Sequence, residues 1–186
     1  MPELIARTAL QDEAALQLGG LELSVLTPGP LTGIALYPGA AAGSDPLLAG
    51  LGLPFPSPGK FRESNGVTLA WSGRDEALLI GAEPPAGLED QAAVTAQSGG
   101  LAGLALRGQA AAGALARLVA LDLRPSAFPP GSAARTGLNH IPALILARDE
   151  GYDIFVFRSM ARSAWNELSE VMQHLAARQP APLPGR

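Results

Sequence analysis

Side chains able to do chemistry are few in this sequence, and they are spaced apart. His140, between Asn139 and Ile141-Pro142, could serve as a general base only with a nucleophile or an orienting acid beside it, and the sequence places neither there. A hydrogen-bonded loop histidine is the expectation. His174 follows Glu170 by four residues, so the expected role is an i,i+4 helix contact worth a few tenths of a kcal/mol. Asp75-Glu76 would be a candidate carboxylate pair, but sequence neighbours on a strand or turn rarely converge on one substrate, and a solvated loop is expected. Asp122, ahead of Leu123-Arg124, suits a cap or an ion-pair partner better than a base. Ser98-Gly-Gly100 and the Gly29–Gly43 stretch lack both the phosphate-loop lysine and the dinucleotide spacing, and mark turns. Cysteine is absent, which excludes disulfides, thiolate catalysis and cysteine-based zinc sites. Two histidines cannot make a histidine-rich metal centre. The sequence thus assigns no catalytic, no cofactor-binding and no metal-ligating residue.

The elements around these residues form one domain's worth of chain. At 186 residues, a core can bury roughly 70% of the unfolded surface without covalent staples. Up to Leu106 four basic residues face eleven acidic ones, whereas from Arg107 onward nine arginines face six acids. That basic excess lacks interleaved aromatics, so nucleic acid is not the expected partner. Met1–Arg7 lacks the charged start and apolar core of a signal peptide, and no apolar run approaches the roughly 20 residues that span a bilayer. The expectation is a cytoplasmic protein.

Residues 1–19 read as a flexible N-terminal segment with a helical turn near Gln11–Leu18, 20–177 as the folded domain, and 178–186 as a disordered tail. Leu21–Val25 alternates like a half-buried strand, Thr27-Pro-Gly-Pro30 is a turn, and Thr32–Tyr37 reads as the returning strand. Asp45-Pro46 suits a helix start. Leu53–Gly59 is a proline-stiffened connector. Val67–Trp71 and Ala77–Ile80 flank a tight loop. Gly87–Ala93 reads as a short helix and Val94–Gln97 as a short strand. Phe55, Phe61 and Phe128 suit either their own sheet or an interface.

From Leu101 onward the signals sharpen. Leu101–Leu106 reads as a strand, Gln109–Ala120 as a helix with Ala111, Leu115, Leu118 and Val119 on one stripe, and Ala143–Ala147 with Tyr152–Phe157 as a hairpin about Asp149-Glu-Gly151. Tyr152, Ile154 and Val156 face one way, Phe155 and Phe157 the other. Such a strand must be covered on both faces, by this chain's helices or by another subunit. A final helix starts at Ser159 as N-cap, and Ala161, Ala164, Trp165, Leu168, Met172 and Leu175 make its apolar stripe. The fold class is α+β: antiparallel sheets with helices on one side, in two related halves.

An ordered set of motifs resembles a known family. Trp71-x-Gly73-x-Asp75-Glu76-x-Leu78-Leu79, Ser98–Gly108, Leu121-Asp-Leu-Arg-Pro125 with Phe128-Pro-Pro-Gly131, and Arg158-Ser-Met-Ala161 with Trp165 are similar to the gamma subunit of heterotetrameric sarcosine oxidase. Ala77 stands where the family often has Trp, and Val119-Ala120 where it often has Cys. The resemblance implies a fold related to the folate-binding domain of the aminomethyltransferase T-protein. It implies partners in alpha, beta and delta subunits, in an oxidoreductase that demethylates sarcosine to glycine with hydrogen peroxide and passes the one-carbon unit to tetrahydrofolate. FAD, FMN, NAD and tetrahydrofolate would sit in those chains and none in this one, which is expected to be noncatalytic. The alternative is a freestanding folate-binding aminomethyltransferase-like protein.

Overall fold

The computed structural model describes residues 9–178. Its elements run β1 (Leu16–Leu18), β2 (Leu21–Leu26), β3 (Leu31–Leu36), α1 (Ala41–Ala49), β4 (Phe61–Ser64), β5 (Val67–Gly73), β6 (Glu76–Ile80), β7 (Ala92–Ala96), β8 (Leu101–Arg107), α2 (Ala111–Leu115), β9 (Ala133–Leu138), β10 (Ile141–Arg148), β11 (Gly151–Phe157) and α3 (Ala161–Ala176). All pairings are antiparallel. The first sheet has the order β1-β2-β8-β11-β10-β9 and the second β4-β5-β6-β3-β7.

Alternation along the strands explains why two sheets stack. On β10 and β11 the residues Ile145, Ala147, Tyr152, Ile154 and Val156 pack with Trp165, Leu168 and Met172 of α3 and with Ala114 and Leu115 of α2. The other faces of the same strands carry Leu144, Leu146 and Phe155, which meet Leu31, Phe61, Ala70, Leu78 and Ile80 of the second sheet. The outer face of that second sheet packs Ile34, Leu69 and Leu79 against Leu48 of α1 and Leu88. Strands apolar on both faces are therefore covered on both by this chain, except at the end of β11, where Phe157 stays exposed. Each sheet carries helices on one side only, because its other side is taken by its neighbour.

The sheets are joined at two corners. At one, β2 passes through 27–30 into β3 while β7 returns through 97–100 into β8, fastened by Gln97 N–H donating to the Leu31 carbonyl at 2.7 Å. At the other, Lys60 and Ser132 form an isolated antiparallel bridge. The turn at 27–30 is present, but β3 does not return along β2. It pairs with β6 and β7, so β1 and β2 belong to the same sheet as the C-terminal strands.

Several local expectations change. Of the segment 1–19, residues 1–8 lie outside the described residues. Beyond them Leu10 is buried in the main core, and the stretch read as a helical turn ends in strand β1, paired to β2. Residues 179–186 also lie outside the described residues. Helix α1 starts four residues before Asp45, with Pro46 inside it. Asp45 Oδ1 instead accepts from Phe55 N–H at 3.3 Å, tying down the proline connector. Helix α2 is five residues long and gives way to turns, although Leu118 and Val119 stay buried. Gly87–Ala93 contains a single 3-10 turn, Leu88–Asp90. Ser159 sits in a 3-10 turn, Arg158–Met160, that leads into α3, and no side chain caps that helix. The stripe on α3 is as expected, with Val171 added.

Candidate functional site

The layer between the sheets changes character along its length. Register explains the first end. Gly151 lies opposite Arg107 on one side and Arg148 on the other. Both arginines occupy inward-facing positions, and Asp153 is the next inward residue of β11, diagonal to each. Asp153, 5% exposed, therefore accepts from both: Arg107 Nη2 donates to Oδ1, and Arg148 Nε donates to Oδ2 at 2.7 Å. Arg107 Nη1 also donates to the Tyr152 carbonyl at 2.5 Å. Arg148 reaches across to the second sheet. It donates to Glu63 and to Thr68 Oγ1, and its guanidinium carbon lies 4.6 Å from the Phe61 ring centroid. These charges border a polar hollow of about 580 Å³. They clamp the sheets together at this end.

The middle of the layer is filled by the Leu, Ile and Phe side chains described above. The far end is open. Gly33 and Ala35 of β3, Ala93 and Thr95 of β7, and Leu78 of β6 face Leu144, Phe155 and Phe157 across a mostly apolar cleft of about 280 Å³. Small side chains on the second sheet's inner rows leave this space unfilled. Arg135 of β9 stands at its rim, 3.6 Å from Glu76 Oε2 and 3.5 Å from the Ser72 carbonyl. Phe157, 46% exposed, ends the inner row of β11, and Tyr37, 47% exposed, prolongs the row of Gly33 and Ala35.

The residues weighed in the sequence do not gather here, with one exception. His140 is exposed in the β9–β10 turn and His174 is exposed on α3. Asp75 and Glu76 diverge: Asp75 lies in the β5–β6 turn at φ 57°, 3.7 Å from Arg74, while Glu76 turns to the cleft rim. Asp122 is an ion-pair partner. Its carboxylate accepts the Arg124 side chain at 2.9 Å and the Arg124 backbone N–H at 3.1 Å, and these bonds hold its pKa down to about 2. Phe61 and Phe128 are buried within the chain and Phe55 is partly buried against α1, so the aromatic side chains left exposed are Tyr37 and Phe157. The clamp was not foreseen. A lone Asp among the apolar residues of β11, on the Phe155 row, was the signal for it.

Among the described residues no group of three or more His, Cys, Asp or Glu could hold a metal ion. No helix among the described residues is long and apolar enough to cross a membrane. No protein-family model matches the sequence, and no curated protein matches it. Among solved structures it is similar to a chain of the heterotetrameric sarcosine oxidase from Corynebacterium sp. U-96, solved in complex with pyrrole 2-carboxylate, at 24% identity and a TM-score of 0.79. The superposition takes in 95% of this chain and 99% of that one. The pair of stacked antiparallel sheets is thus the fold found in a chain of a heterotetrameric sarcosine oxidase.

Proposed function

We propose that this protein is the gamma-type, noncatalytic subunit of a sarcosine oxidase complex, where it stabilises the assembly with alpha, beta and delta chains in the cytoplasm. The observation that carries the reading is the extent of the likeness, which covers virtually the whole of one chain of such an oxidase. The ordered motifs from Trp71 to Trp165 point the same way. FAD, FMN, NAD and tetrahydrofolate belong, on this reading, to the partner chains. Oxidation of the N-methyl group and transfer of the one-carbon unit take place there. This chain's share is shape: a two-sheet domain whose open end offers apolar surface, with an interface upwards of roughly 2,000 Å², as obligate subunits bury. The test is coexpression with the large subunits of a sarcosine oxidase, followed by sizing and a visible spectrum. Comigration of the 19.0 kDa chain with flavin absorbance is expected. A monomer that ignores those chains would overturn the proposal.

A second reading, a freestanding folate-binding protein of the aminomethyltransferase type, is favoured by one feature: the open cleft has an acid, Glu76, on its rim. It weighs less because Glu76 is paired with Arg135 outside the apolar part of the cleft. Titration of the isolated chain with a reduced folate separates the two, since binding would support the second.

A further inference from the structure

Among the described residues, strand β7 is an edge of the second sheet and pairs only with β3. Tyr37 N–H bonds to the Gln91 carbonyl and Gln97 N–H to the Leu31 carbonyl, at the two ends of that pairing. Alternation then directs the backbone groups of Ala93 and Thr95 toward β3 and those of Val94 and Ala96 away from the sheet. Edge strands are usually blunted by charge, proline or a bulge. Residues Ala92–Ala96, Ala-Ala-Val-Thr-Ala, carry no charge and no proline, and their register with β3 is unbroken. The same strand forms one wall of the open cleft through Ala93 and Thr95.

Unpaired backbone groups beside an apolar slot are the two halves of one recognition mode. Main-chain hydrogen bonds hold an added strand, and its alternate side chains enter the slot. We propose that an extended, uncharged segment of a larger partner subunit pairs with β7 through Val94 and Ala96 and turns its alternate apolar side chains into the cleft. The inference rests on the subunit reading above. Charge matches this occupant: the only charged pair on the rim, Glu76 with Arg135, is internally neutral, and β7 has no charge to neutralise one brought by the partner. A second copy of this chain fits less well. Two β7 strands paired about a two-fold axis would bury far less than the roughly 1,000 Å² of a specific interface, and both clefts would stay empty.

The test uses the full chain coexpressed with the large subunits of a sarcosine oxidase, and hydrogen exchange of the Val94 and Ala96 amides in the free chain and in the complex. Both amides should exchange rapidly in the free chain and slow by about a hundredfold in the complex, the range of a newly paired strand. Thr95→Lys, at an exposed position, puts a charge on the cleft wall and should abolish copurification while leaving the melting temperature of the free chain unchanged. Copurification with unchanged exchange at Val94 and Ala96, and with Thr95→Lys still bound, overturns the docking proposal and leaves the subunit reading standing. Failure of the wild-type chain to copurify removes both. A dimer of the chain alone, lost in Thr95→Lys, would assign the edge to a second copy and overturn the proposal.

Discussion

Replacing Asp153 with alanine should cost more stability than any other single charge removal in this chain. Among the described residues its carboxylate is the only anion shared by two inward-facing arginines, and its side chain is 8% exposed against 27% for Arg107 and 21% for Arg148. Removing one member of a fully buried ion pair costs about 3–5 kcal/mol, because the other charge is stranded. Here the arginines open onto the polar hollow, so water can reach part of each guanidinium. Arg148 also keeps Glu63, Thr68 and Phe61, and Arg107 keeps the Tyr152 carbonyl. Those contacts reduce the expected loss to about 2–3 kcal/mol. At this chain length that is a fall of roughly 5–10 °C in melting temperature.

Urea titration followed by tryptophan fluorescence measures it directly, since Trp165 is in the core of the first sheet. The triple change Arg107→Met, Asp153→Leu, Arg148→Met should lose much less than Asp153→Ala alone, because no buried charge is stranded and Glu63, the partner that Arg148 gives up, is half-exposed to water. An Asp153→Ala protein within about 0.5 kcal/mol of wild type, the range of an ordinary surface change, would refute the clamp as a structural device.

The remaining predictions are narrower. Trp165→Ala removes a 5%-exposed side chain from the α3 contact and should cost about 3–5 kcal/mol in denaturant stability. Ser159→Ala should change stability by less than about 0.5 kcal/mol, because Ser159 does not cap α3; a loss above about 1 kcal/mol, the usual worth of a cap, would count against the 3-10 entry to that helix. Burial against Phe128, its stacked neighbour at 6.5 Å, raises the Tyr152 pKa above its ordinary value of 10.0. The neutral phenol is thus favoured in the folded state. The contribution is full below pH 10, the unfolded value, and is lost as pH rises toward the folded pKa, so Tyr152→Phe should flatten the alkaline fall in melting temperature.

What could be read from sequence was local and periodic. The β10–β11 hairpin, the α3 stripe and the two-faced apolar strand follow from residue spacing alone. Signals at element ends were less secure. Asp45-Pro46 and Ser159 have the composition of helix starts, yet each helix begins elsewhere, and Asp45 ties down the connector instead. Long-range routing was hidden. Thr27-Pro-Gly-Pro30 shows that the chain turns, but nothing local says that it turns into a different sheet. The clamp was hidden for the same reason: Arg107 is 46 residues from Asp153 and Glu63 is 85 from Arg148, and only register brings them together.

Two glycines show where packing dictates this sequence and where it does not. A Cβ on Gly151, at φ 145°, would lie 2.1 Å from the Leu106 carbonyl oxygen, so the clamp end requires glycine for the arginines to flank Asp153. A Cβ on Gly33, in the open cleft, would meet nothing nearer than Gln97 Cγ at 3.6 Å, an ordinary contact. A methyl group at Gly33 would therefore add apolar contact in the cleft, at about 0.8 kcal/mol per buried methylene-sized group, without a clash. A domain packed for its own stability would use that space, as the middle of the same layer does with Leu, Ile and Phe. Leaving the slot open, with Tyr37 and Phe157 exposed beside it, is intelligible if the missing burial is completed by a partner chain.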